Sequence, residues 1–160
     1  MFGESWAGYP NVIIGGGERP KMSQIVVGEQ LDSLVKDPIT KVQLLKYAGA
    51  SGDYNLIHTD VETARSVGLG DVIAHGMLSM GFLGQYVALV AGPAGVRRLT
   101  VRFGAPVRLG DVLTCRGVVK QSSETGDGRA TVVLQVWAEN QKGEKVTIGE
   151  AEVYLAEEGS

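Results

Sequence analysis

Between Met77 and Val90 the chain carries no charged residue, and this stretch limits the fold more than any other. Ser79, Gly81, Gly84 and Gln85 interrupt it, so it is too short and too broken for a membrane span, which needs about 20 apolar residues. It predicts a helix that starts near His75-Gly76, ends near Val90 and is apolar nearly all round. Such a helix must be enclosed on most sides. The segments that follow can enclose it. After Gly92-Pro93, Leu99, Val101 and Phe103 alternate with Arg98, Thr100 and Arg102. Val132, Leu134 and Val136 alternate with Thr131, Val133 and Gln135, and Gly149, Ala151, Val153 and Leu155 alternate with Glu150 and Glu152. Period two marks half-buried strands. Turns are expected at Leu109-Gly110-Asp111, Gly126-Asp127-Gly128 and Gln141-Lys142-Gly143. Short turns between strands imply an antiparallel meander.

The first half of the chain is helical. Residues 1–22 form a glycine-rich arm, and the domain occupies 23–160. A short strand with a turn at Gly28-Glu29 is expected between Ile25 and Pro38. Thr40 with Gln43 makes a capping box, and Ile39 with Leu44 makes a hydrophobic staple. They open a helix from Lys41 to about Gly49, with Leu44, Leu45 and Ala48 available for burial. Asp60 can cap a second short helix that ends before Gly68. Helices followed by strands give an α+β class. A sheet wrapped around the apolar helix, the hotdog arrangement, is one option within it.

At 160 residues the chain suits one domain. Its net charge of −3 argues against nucleic acid as a partner. Cys115 is the lone cysteine and sits in a strand-like run, so it reads as a buried, inert thiol in a reducing, cytoplasmic compartment. Met1-Phe2-Gly3-Glu4 lacks the cationic start and apolar run of a signal peptide.

The segment Tyr47–His58 holds the chemistry. It places Asp53, Asn55 and His58 on one glycine-flanked loop, where a carboxylate and an imidazole can share a water as an acid–base pair. Each residue alone could equally serve a turn or a cap. His75-Gly76 stands where the apolar helix begins. The Gly76 N–H there is either an oxyanion donor for a carbonyl oxygen or part of a packed turn. No P-loop, GxGxxG or GxSxG motif is present, and the histidines and the cysteine show no zinc spacing. Acid–base chemistry without a cofactor or metal remains.

The run Ser51-Gly52-Asp53-Tyr54-Asn55-Leu56-Ile57-His58, with Ala64 after five further residues, resembles the signature of the MaoC-like (R)-specific enoyl-CoA hydratases and (3R)-hydroxyacyl-thioester dehydratases. Ile73-Ala74-His75-Gly76-Met77-Leu78 strengthens the likeness. Within that family, residues 47–103 most resemble the catalytic subunits of mycobacterial (3R)-hydroxyacyl-carrier-protein dehydratases. The resemblance implies a hotdog fold, a dimer, and reversible hydration of a trans-2-enoyl thioester carried by coenzyme A or acyl carrier protein. It implies that Asp53 and His58 activate water and deliver a proton to C2. Asn55 orients the loop or the water, and the Gly76 N–H binds the thioester oxygen. His75, Met77 and Gly84 would contact substrate. Two positions depart from the family. Leu56 stands where proline is usual, which frees one φ angle. Gly84 matches a helix position that is serine in some hydratases.

The partner is expected to be an identical chain, with a related hotdog subunit as the alternative. Arg97, Arg98 and Arg102 either meet substrate phosphates or form a solvated strand face, and the latter is favoured. Two rival functions are a hotdog thioesterase and a non-catalytic acyl-binding subunit.

Overall fold

In the computed structural model of the chain, residues 13–14, 25–125 and 129–156 are described. The expected turn at Gly126-Asp127-Gly128 lies outside them, as does most of the arm. Six strands form one sheet: β1 (Ile13–Ile14), β2 (Ser33–Val35), β3 (Val96–Phe103), β4 (Thr114–Thr125), β5 (Arg129–Glu139) and β6 (Lys145–Ala156). Their order is β1-β2-β4-β5-β6-β3, antiparallel throughout. The helices are α1 (Lys41–Ser51), α2 (Val61–Ser66) and α3 (Gly76–Ala91). Short 3₁₀ turns occupy Leu56–His58 and Pro93–Gly95.

The sheet wraps α3, and this is the hotdog fold. Leu78, Phe82, Leu83, Tyr86, Val87 and Val90 bury one broad face of the helix. Across from them the sheet supplies Val119, Val132, Leu134, Val136, Ala151 and Val153, all 0% exposed. Each Val, Leu or Phe among them contributes about 1.5–3 kcal/mol of burial. Only a narrow seam of α3 stays open, at Met77, Gly81, Gln85 and Leu89, each four residues from the next. Among the described residues no helix is long and apolar enough to cross a membrane.

The local signals behave as chemistry predicts, with four differences. The Thr40 hydroxyl accepts from the Gln43 N–H at 3.1 Å, and Ile39 and Leu44 are both buried. Yet α1 continues past Gly49 to Ser51. Gly52, at φ 76°, takes the left-handed conformation that closes it, and its N–H donates to the Ala48 carbonyl. Leu45 is 51% exposed rather than buried. Phe103 was expected on the inner face of its strand and is 47% exposed. It ends β3 with its ring over Gly76, where a Cβ would meet three ring atoms at 3.2 Å. Lastly, β4, β5 and β6 form the meander, but β3 crosses to pair with β6. Residues 104–113 between β3 and β4 form a long connection rather than a hairpin, with the expected turn near Gly110 inside it.

Candidate active site

Gly52 reverses the chain out of α1, and the next six residues are organised by their own side chains. The Ser51 hydroxyl accepts from the Asp53 N–H, the Asp53 Oδ1 from the Asn55 N–H, and the Asn55 Oδ1 from the Ile57 N–H, each at 3.2 Å. Asn55 thereby caps the 3₁₀ turn that carries His58. Oδ2 of Asp53 then stands 3.9 Å from Nε2 of His58. The Asp53 side chain is half exposed, and His58 is buried.

A second segment holds this loop from behind. The Ile73 N–H donates to the Ile57 carbonyl at 3.2 Å. His58 Nδ1 lies 2.8 Å from the Ile73 carbonyl. A carbonyl only accepts, so Nδ1 carries the proton and Nε2 presents its lone pair towards Asp53. His75 Nε2 is 3.1 Å from the Asp53 carbonyl, so by the same argument it donates there. The rings of His58 and His75 stack with centroids 3.8 Å apart.

Beside His58 lies a cavity of about 350 Å³. Gly76, Ser79, Phe103 and Thr147 line it, together with the 104–107 segment. Gly76 opens α3, so its N–H is one of the four that lack an acceptor within the helix. Ser79, one turn on, donates its hydroxyl to the Gly76 carbonyl at 2.7 Å. With that proton committed, the 2.6 Å contact between Ser79 Oγ and Thr147 Oγ1 is donated by Thr147. Both residues are nearly fully buried. Sequence reasoning passed over both. The available signal was the spacing: Ser79 lies three residues beyond Gly76 and shares its helix face.

The remaining candidates fall around this core. Asp53 does not line the cavity but stands next to His58, which does. His75 is 1% exposed and sits behind His58, outside the cavity wall. Met77 is 54% exposed on the open seam of α3. Gly84, two turns further along the helix, faces Leu99 and is not part of the wall. Arg97 lies over the Tyr154 ring, and Arg98 donates to Thr100 and is paired in register with Glu152, as a solvated strand face would have them. Burial pushes the Cys115 thiol up to about 12, so it stays protonated and unreactive.

Asp53, His58 and His75 also bring three ligand-type atoms within 4.8 Å of one another. They are poorly disposed to hold a metal ion. The two rings stack, so their in-plane lone pairs run side by side, and Nε2 of His75 is spent on the Asp53 carbonyl. The set suits a shared water better. Two acceptors 3.9 Å apart can each receive one hydrogen from a single water at about 2.8 Å. The water oxygen then keeps a lone pair free for attack.

Known proteins share the family and the fold of this chain. The MaoC-like domain family matches residues 23–142. The chain is 36% identical over 87 residues to the (R)-specific enoyl-CoA hydratase of Rhodospirillum rubrum. Over 85 residues it is 32% identical to the 3-hydroxybutyryl-CoA dehydratase of Methylorubrum extorquens. The two alignments take in 53% and 52% of this chain and 60% and 54% of those relatives, so the match spans between half and two thirds of their length. The unliganded R-hydratase PhaJ1 from Pseudomonas aeruginosa superposes with a TM-score of 0.74 at 31% identity, covering 88% of each chain. With the family's domain extending over most of its length and the same fold in a solved hydratase, this chain belongs to the MaoC-like domain family.

Proposed function

We propose that the chain reversibly adds water to a trans-2-enoyl thioester, giving the (3R)-3-hydroxyacyl thioester. One observation carries this reading. A carboxylate oxygen and the imidazole nitrogen left facing it stand 3.9 Å apart next to a cavity that Gly76, the first residue of α3, lines. The names of the hydratase and dehydratase relatives support it.

Water held by Asp53 and His58 attacks C3 of the enoyl group. As the O–C3 bond forms, one of the pair takes a water proton. The π electrons move to C2 and onto the thioester oxygen, where the Gly76 N–H stabilises the enolate-like charge. C2 then takes a proton from the same pair, so the pair ends as it began. Asn55 keeps the turn that aims His58. Dehydration runs the steps in reverse and needs no redox partner.

Two identical copies pair through the open seam of α3 and the terminal strand β3, in the cytoplasm. Apolar exposure supports that contact: Tyr54, Leu56, Met77, Leu89 and Phe103 are each at least 38% exposed.

The test is incubation with crotonyl-CoA. Hydration removes the conjugated enoyl absorbance, leaves the thioester intact and yields the (3R)-hydroxy product. Release of free thiol would assign a thioesterase instead. No turnover with either coenzyme A or carrier-protein enoyl thioesters would leave an acyl-binding subunit. Sedimentation analysis reads the dimer directly.

A further inference from the structure

We infer that His75 is a positioning residue, which locks the acid–base loop to the start of α3 by holding the Asp53 carbonyl and by carrying the face of the His58 ring. The inference rests on the hydratase reading of this site.

His75 occupies the N-cap of α3 and makes no side-chain cap bond. Ser, Thr, Asp or Asn would serve the helix better there, so helix capping does not explain the histidine. Its Nδ1 is sealed from solvent and has no hydrogen-bond partner. An unpaired buried acceptor is costly, and a plain packing role would avoid it with an apolar side chain. What the imidazole does supply is two contacts at once. Its Nε2–H reaches the Asp53 carbonyl at 3.1 Å. Its ring stacks on His58 at 3.8 Å with 26° between planes, backed by Tyr47 at 4.9 Å.

The two contacts act on the two halves of the acid–base pair. The hydrogen bond fixes the backbone from which the Asp53 carboxylate projects. The stacked ring fixes the plane of His58, whose edge is already held by the Ile73 carbonyl. His58 has no remaining freedom to turn Nε2 away from Asp53. The ionisable groups that face His75 are His58, Asp53 and Tyr47.

Two substitutions separate the contacts. His75→Gln keeps an N–H near the Nε2 position and loses the ring. His75→Phe keeps the ring and loses the hydrogen bond. Each is expected to lower kcat for crotonyl-CoA by about ten- to a hundredfold, with KM within threefold and Tm close to that of the parent. Imidazole ¹⁵N shifts of the full chain give a readout that needs no turnover. They should show His58 fixed as the Nδ1–H form in the parent and in His75→Phe, and averaged between tautomers in His75→Gln. Unchanged kcat in both variants, or a His58 tautomer that ignores the ring, would overturn the assignment. An inactive parent with the expected tautomers would refute the hydratase reading and leave the positioning intact.

Discussion

Gly76 offers a way to remove a single backbone hydrogen from the site. It is the first helical residue of α3, where proline is well tolerated because the N–H has no helical partner. Proline also needs an extended residue before it, and His75 has φ −57° and ψ 131°. The backbone therefore admits Gly76→Pro. The added Cβ meets the Phe103 ring at 3.2 Å, a contact that an alanine at this position makes equally. Gly76→Ala carries the same Cβ but keeps the N–H, so it is the control. If the N–H stabilises charge on the thioester oxygen, its loss costs about 10²–10³ in kcat, or about 2.7–4 kcal/mol. Steady-state kinetics of crotonyl-CoA hydration on both variants, with Tm measured beside them, gives the comparison. Gly76→Pro within threefold of Gly76→Ala would refute the oxyanion assignment. So would a rise in KM alone, because it would mean the donor binds substrate and transition state equally.

Three other outcomes are expected. Asp53→Asn and His58→Gln should each lower turnover by about two to four powers of ten with unchanged circular dichroism, and a loss below threefold in both would reject the pair. Ser79→Ala leaves the Thr147 hydroxyl without its acceptor and should cost about 1–3 kcal/mol. The double variant with Thr147→Val should recover much of that in a denaturant-based mutant cycle. Bonds from the Thr63 hydroxyl and N–H hold the Asp60 carboxyl below its usual range. A folded pKa below the unfolded value of about 3.9 gives stability that is present above that value and lost as pH falls through the folded one. Asp60→Asn should therefore flatten the dependence of Tm on pH below about pH 4, and an unchanged slope would count against the cap.

The parts of this fold that were legible from sequence are those whose signals are local. Thr40, Asp60 and Gly52 act on their immediate neighbours, and the alternation in β5 and β6 follows directly from burial on one face. The missing parts depend on distant partners. Strands of two and three residues, β1 and β2, carry too little pattern to announce themselves. The crossing of β3 to β6 is set by how the sheet closes on α3, and not by any turn residue. Phe103 breaks the burial pattern of Leu99 and Val101 because it meets Gly76 at the strand's end, which no alternation encodes. At the site, Asp53, Asn55 and His58 could be read because they lie within six residues. Ser79 and Thr147 are 68 residues apart; Ser79 reads as an interruption of an apolar run, and no local pattern marks Thr147.

The three bonds that join residues 53–58 to residues 73–75 have a consequence for how the site works. Asp53, His58 and the first amide of α3 ride on one frame, so their spacing is set at folding. Little reorganisation is left for the moment of reaction, and no closing motion is needed to assemble the groups. Residues 59–72, which include α2, form an excursion between the two halves of that frame. Ala64 and Val72 bury that excursion in the core, and Arg108 donates to the Leu69 carbonyl, so it braces the frame from outside the cavity wall.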